Sequence, residues 1–267
     1  MTLVIALKWP ISDGDAVLMV SDTRATTSVG VMYEAKKIHA VTSADGKNLG
    51  IVGGAGDPAL VKWSFQVADE VMREYAGEDG LIFFDEVRQA VRRMEDIFMH
   101  RFYELRSRGV DPGFQLVLGS VDLDGKASLY QFDSRGLAEP VHDDPGYAII
   151  GSGMITGGIL LLRLLGYRPD IDLGMLTAFI LDMVSEVDPS VGPFVGESYL
   201  IRVEKKDNER YIALGPLKPE ALREYKEKIA KRRELIRELW KLCDEVGEER
   251  IESCFTSLWQ TNHQNEK

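Results

Sequence analysis

The sequence predicts an α+β fold: two antiparallel sheets packed together with helix pairs outside them, a four-layer αββα sandwich, followed by one extra C-terminal helix. Three observations predict it. Short apolar or alternating runs separated by Gly-containing turns open the chain, the pattern of antiparallel β-structure. The apolar spacing then changes to three and four residues, returns to the strand period and changes once more. Helices grouped in pairs between hairpins suit stacked layers rather than a doubly wound parallel sheet.

The elements follow in order. TLVIAL (2–7), VLMVSD (17–22), KIHAV (37–41) and LGIVGG (49–54) read as four strands, with DG, SVG and DGK marking the turns. From Pro58 the positions Leu60, Trp63, Val67 and Val71, then Val87, Val91, Met94, Phe98, Phe102 and Leu105, fit two amphipathic helices joined near AGEDG. Strand patterns return in 114–122, 126–133 and 146–153, the first two joined by a DG turn. A second helix pair is expected at 154–166 and 173–188, then a Pro- and Gly-rich loop at 188–196 and closing strands at 198–205 and 210–215. Past Pro219 the chain turns to Glu, Lys, Arg and Leu. Leu222, Tyr225, Ile229, Ile236, Leu239, Cys243 and Val246 give the seam of a packing helix, docked on its own domain or on a partner. The tail after Trp259 is expected to be disordered.

Composition excludes several classes. At 267 residues, 45% hydrophobic and 28% charged, the chain can form a full core in one large domain with an appendage. A net charge of −11 argues against nucleic acid as a partner, because phosphate contact needs clustered Lys and Arg. No apolar stretch reaches the roughly 20 residues of a membrane helix, and MTLVIALKWP carries no cationic leader, so a soluble cytoplasmic protein without membrane association is expected. Cys243 and Cys254 supply neither a disulfide framework nor a zinc set, and His39, His100, His142 and His263 lack ligand spacing, so no metal and no cofactor are expected.

The chemistry centres on Thr2. If Met1 is removed, this residue carries a hydroxyl and a free α-amine, the nucleophile and base of an N-terminal-threonine hydrolase. The amine's ordinary pKa of about 7.7–8.0 suits a general base, whereas a lysine near 10.4 does not. Lys37 therefore reads as a cation that favours the alkoxide, and Asp22 as the carboxylate that keeps it charged and in place. Each has a plainer reading: Thr2 as a residue that permits methionine removal, Asp22 with Arg24 as a strand-end ion pair, Lys37 as a solvated strand lysine.

Thr2 on a first strand, SDTRAT, EAKKI, IVGGAGD (51–57) and IIGSG (149–153), in this order, resemble the proteasome β-subunit family over roughly residues 2–215. The resemblance implies the sandwich of N-terminal nucleophile hydrolases at 1–216, leaving a helical extension at 217–259 and a flexible tail at 260–267. It also implies a threonine protease acting on a peptide or unfolded protein in a homo-oligomer, with an ATPase unfoldase as a possible partner. By position it makes Thr2 the nucleophile, with Asp22, Lys37 and a supporting Arg24. Gly53 becomes the oxyanion donor through its N–H, Ser152 the partner of the terminal amine, and Asp188 a support of the same network. Ala25, Ala35, Ile51 and Ala55 would line a roomy apolar pocket for the residue before the scissile bond.

Three departures stand out: a longer first hairpin at 9–16, Val191 where a second supporting serine is expected, and the C-terminal helix. Three readings stay open: a peptidase in a self-assembled oligomer; an amidase or transpeptidase using the same Thr2 acyl-enzyme; and a non-catalytic assembly subunit that keeps Met1. With Met1 attached the Thr2 nitrogen is an amide and cannot act as base. Activation is expected to fall to methionine aminopeptidase.

Overall fold

A computed structural model describes residues 2–26, 32–111, 113–168, 170–207, 209–247, 250–251 and 253. The chain divides into two compact units, 1–222 and 223–267.

The first unit holds two five-stranded antiparallel sheets. One is built from β1 (Val4–Ile11), β2 (Gly14–Ser21), β10 (Tyr147–Ile150), β11 (Glu197–Lys206) and β12 (Glu209–Gly215), in the order β10-β1-β2-β11-β12. The other runs β5-β6-β7-β8-β9, from Ile38–Thr42, Asn48–Gly56, Phe114–Val121, Ala127–Phe132 and Ala138–Pro140. A ribbon of β3 (Arg24–Thr26) and β4 (Met32–Glu34) stands apart from both.

β1 and β2 form a hairpin from Val4↔Ser21 to Ile11↔Gly14, and Ile201 and Arg202 of β11 continue the sheet against Val17 and Ala16. Both faces of these central strands are buried, which explains their unbroken apolar runs. Val4, Ala6, Val17 and Met19 share a cluster with Ile51, Val117 and Leu129 of the other sheet. Leu3, Ile5, Leu7, Leu18 and Val20 join Leu162, Leu176, Ile180 and Val184, the last three in α4 (Leu173–Val187) and the first in α3 (Ile159–Leu165).

A third cluster joins the β5–β9 sheet to α1 (Pro58–Tyr75) and α2 (Phe84–Ser107). Asp57 caps α1, accepting from the backbone N–H groups of Ala59 and Leu60, with Pro58 at the first helical position. Phe98 lies at this cluster's centre, with ring contacts to Trp63, Phe102, Phe114 and Phe132.

Sequence periodicity finds the long elements and misses the shortest: β3, β4 and β9 have three residues each, too few to show a period. The helix expected over 154–166 is broken. Met154–Gly158 forms a π-turn in which Gly157 has φ 149°, and α3 starts only after it. No helix among the described residues is long and apolar enough to cross a membrane.

In the second unit α5 continues the helix that starts at Pro219 and ends at Val246, and it exposes Leu235, Ile236, Trp240 and Leu242. The tail at 260–267 and Cys254 lie outside the described residues.

Truncating a ring that other rings enclose removes apolar contact and leaves a cavity that rigid neighbours cannot fill. Phe98→Ala is expected to cost about 3–5 kcal/mol, read as a lower urea midpoint with an unchanged slope.

Candidate active site

Asp22 follows β2 directly and is fully buried. Its Oδ1 accepts from Leu3 N at 2.9 Å and from Lys37 Nζ at 2.7 Å, and its Oδ2 from Arg24 N at 3.0 Å and Gly192 N at 2.8 Å. Lys37, 4% exposed just before β5, also donates to Arg24 O at 2.5 Å, while its own backbone N–H donates to Glu197 Oε2 at 2.6 Å. Burial pushes the Lys37 ammonium below its ordinary value, and the attraction and hydrogen bond of Asp22 offset part of that. Arg24 extends the network to the loop after α4, donating from Nη1 to Pro189 O at 2.6 Å.

Thr2 is buried beside this pair, held from the other side by the turn after β10. Its backbone nitrogen donates to Ser152 Oγ at 3.3 Å, and its carbonyl accepts from Gly153 N at 3.2 Å. Gly151 allows the approach: it has φ 92°, and a Cβ there would lie 2.1 Å from Thr2 O. Gln115 Oε1 accepts from Gly151 N at 2.8 Å and fixes the turn to β7.

Asp188 sits behind Ser152. Thr156 Oγ1 donates to Asp188 Oδ2 at 2.9 Å and lies 3.3 Å from Ser152 O, while Ser190 donates to Asp188 Oδ1 through its hydroxyl and through its N–H at 2.9 Å. Burial raises the Asp188 carboxyl, yet the Ser190 and Thr156 hydrogen bonds outweigh it and hold the group below the ordinary carboxylate range.

Two expected residues are not brought to the site. Gly53 lies inside β6 between Ile38 and Val117. Gly54 N donates to Lys37 O at 2.9 Å and Asp57 N to Gly113 O at 2.7 Å. Donors alternate sides along an antiparallel strand, so the Gly53 N–H is directed into the β6–β7 ladder, and a Cβ on Gly53 would meet Met19 Sδ at 2.7 Å and Val4 Cγ1 at 2.8 Å. By the same parity the Gly56 N–H points to the β5 side beyond Lys37. There the neighbouring chain has turned away, with Ala35 N donating to Thr23 O. Ile51 is fully buried in the cluster between the sheets and is not among the described residues that line the 760 Å³ and 370 Å³ cavities at Thr2.

Thr2, Ala55 and Gly56 border two cavities. One, of 760 Å³, is lined further by Leu60, Phe114, Gln115, Ser152 and Ile155. The other, of 370 Å³, runs along Ala35, Lys36 and Ile38 to Val61, Lys62 and Phe65. Ala35 and Ala55 both border the smaller cavity, whose wall also carries Lys36, Lys37, His39 and Lys62. Ala25 lies in β3, and its side chain is outside the described part. Glu197, Gln115, Thr156, Gly192 and Gly56 complete the site without having been expected. A polar Gln115 in the apolar run FQLVLG was the one local signal among them.

Removing either member of the buried pair strands the other. Lys37→Ala is expected to cost about 3–5 kcal/mol, and Asp22→Ala more, because it also orphans the N–H groups of Leu3, Arg24 and Gly192; urea unfolding gives the order. Asp188 supplies a pH dependence. A carboxyl depressed in the folded state adds stability that is complete above its ordinary pKa and is lost as pH falls through the folded value. The stability difference between the wild type and Asp188→Asn is therefore expected to be flat above about pH 5 and to change only below about pH 4, measured by urea titration at each pH.

No protein-family model matches the chain, and no curated protein does. Solved structures do. An Anbu (ancestral beta-subunit) from Yersinia bercovieri matches at TM-score 0.63 and 15% identity, covering 90% of this chain and 97% of that one. An Anbu (Gly-1) mutant from Hyphomicrobium sp. strain MC1 matches at 0.63 and 17%, with 90% and 97% covered. The helical assembly of the Anbu complex from Pseudomonas aeruginosa matches at 0.63 and 15%, with 90% and 96% covered. These neighbours correct the assignment to the proteasome β-subunit family: they are Anbu proteins, a distinct family, and at this identity the likeness shows the fold alone. The chain has an Anbu-like α+β fold with two antiparallel sheets.

Proposed function

We propose that the chain is an N-terminal-threonine peptidase in which Thr2, freed of Met1, forms an acyl-enzyme. The observation that carries this reading is the position of Thr2: it lines both cavities, its nitrogen rests on Ser152 Oγ, and the next residue's N–H is bound by Asp22, which also binds Lys37. We read the three apolar clusters as the interfaces of an αββα sandwich spanning 1–216, with 217–259 as an added helical segment.

Thr2 Oγ1 attacks the carbonyl carbon of the scissile amide, and its proton passes to the Thr2 α-amine. Lys37, held by Asp22, supplies the positive potential that favours the alkoxide. The tetrahedral oxyanion is met by a backbone N–H at the cavity border, where Gly56 takes the role expected of Gly53. The amine carries the proton to the leaving nitrogen, the C–N bond breaks, and an ester on Thr2 remains. Water then attacks the ester with the same amine as base, releasing the acid and restoring the threonine. Arg24 ties the Asp188–Gly192 loop to Asp22, and Asp188 with Ser190 orders the groups around Ser152. The apolar residues that α5 exposes support a homo-oligomer.

The test is intact mass after treatment with a β-lactone. A single adduct on protein lacking Met1, absent in Thr2→Ala, is expected; retention of Met1 in protein from its native host, or equal labelling of the variant, would overturn the reading.

A further inference from the structure

The 370 Å³ cavity beside Thr2 carries a chemistry that the alanines of its wall do not suggest. Among the described residues its lining includes Lys36, Lys37, His39 and Lys62 and no carboxylate, in a chain whose net charge is −11. Two of these side chains are already matched. Lys37 is ion-paired with Asp22, and His39 Nε2 is bonded to Asp69 Oδ2 at 2.7 Å, with its ring stacked on Phe65. Lys36 and Lys62 are exposed, and among the described residues neither is ion-paired. They stand on different elements, Lys36 before β5 and Lys62 in α1, and both line this one space. Ile38, Val61 and Phe65 make the remaining wall apolar, so an entering side chain buries its stem on hydrocarbon and meets the two ammonium groups. The larger cavity has no such bias, since Arg101 is joined there by Asp57 and Asp111.

We infer that this cavity selects a substrate with an acidic side chain, glutamate or aspartate, at the residue whose carbonyl Thr2 attacks. The inference rests on the acyl-enzyme reading above and replaces the apolar preference that Ala35 and Ala55 suggest by themselves. A carboxylate entering here gains two unpaired cations, whereas a leucine gains only the wall and a lysine is repelled.

The experiment separates binding from chemistry by using Thr2→Ala, which cannot be acylated. Fluorescent peptide amides identical except for Glu, Leu or Lys at the selecting residue are titrated by anisotropy at low salt. The Glu peptide is expected to bind about tenfold more tightly than the Leu peptide, and the Lys peptide most weakly. The Glu advantage is expected to shrink severalfold in the Lys36→Gln, Lys62→Gln double variant and at high salt, while binding of the Leu peptide stays the same. Equal or better binding of Leu, a Glu advantage indifferent to the two substitutions, or no binding of any peptide would overturn the inference. The β-lactone adduct depends on none of these peptides, so a failed pocket and a failed nucleophile give different results.

Discussion

The structure around Thr2 depends on one carboxylate. Asp22 is fully buried and accepts four hydrogen bonds, from Leu3 N, Arg24 N, Gly192 N and Lys37 Nζ. Burying two opposite charges costs several kcal/mol per ion, and their attraction repays this only when the remaining hydrogen-bonding capacity is filled. Here it is filled, by donors from the residue before β1, the first residue of β3, the residue before β5 and the loop after α4. Four parts of the chain, the farthest of them 170 positions from Asp22, are thereby fixed to one group. The first strand cannot slide along its partners without breaking the Leu3 bond, so the position of Thr2 follows from the buried pair.

That arrangement explains which parts of the site were legible in the sequence. Asp22 and Lys37 interrupt apolar strand patterns, and a charge at the end of a buried strand needs a partner, so both are visible locally. Ser152 is marked by the glycines on either side of it. The oxyanion donor of the proposed mechanism is a different problem, because Gly53, Gly54, Ala55 and Gly56 form a run of small residues in which any member could carry it. Only the ladder decides: the Gly54 bond to Lys37 O and the Asp57 bond to Gly113 O fix the parity, and parity removes Gly53. Ile51 fails for the related reason that alternate residues of β6 face the other sheet. Glu197 was out of reach, since nothing near it shows that its carboxylate will receive the N–H groups of Lys37 and Ile38.

The fold was more legible than the site because period and length carry it. Strands buried on both faces and long amphipathic helices leave strong patterns, and the elements that went unseen are three residues long or interrupted by Gly157. Motif order, by contrast, pointed to a family that the structural neighbours correct. At 15–18% identity the shared property is the chain's path, and the chemistry has to be argued from this chain's own side chains. Val191 illustrates the point. It replaces an expected serine but is fully buried with Leu3 and Val20, as core residues are. Ser190 meanwhile presents its hydroxyl to Asp188, so a hydroxyl still meets that carboxylate from the neighbouring position.

The contact between Thr2 and Ser152 has a polarity that follows the state of the nitrogen. With Met1 attached, the Thr2 nitrogen is an amide that can only donate, and Ser152 Oγ must accept, as it does at 3.3 Å. A freed neutral amine has a lone pair as well as N–H groups. A hydroxyl can donate or accept, so Ser152 can keep the contact in either state, which a carboxylate or an amide nitrogen could not do. Ser152 is the residue at which a chain able to fold around its blocked terminus would remain able to use the unblocked one. Asp188 does not have to touch the amine in that arrangement. Its Oδ2 accepts from Thr156 Oγ1, one turn beyond Ser152, and so holds the backbone that carries the hydroxyl.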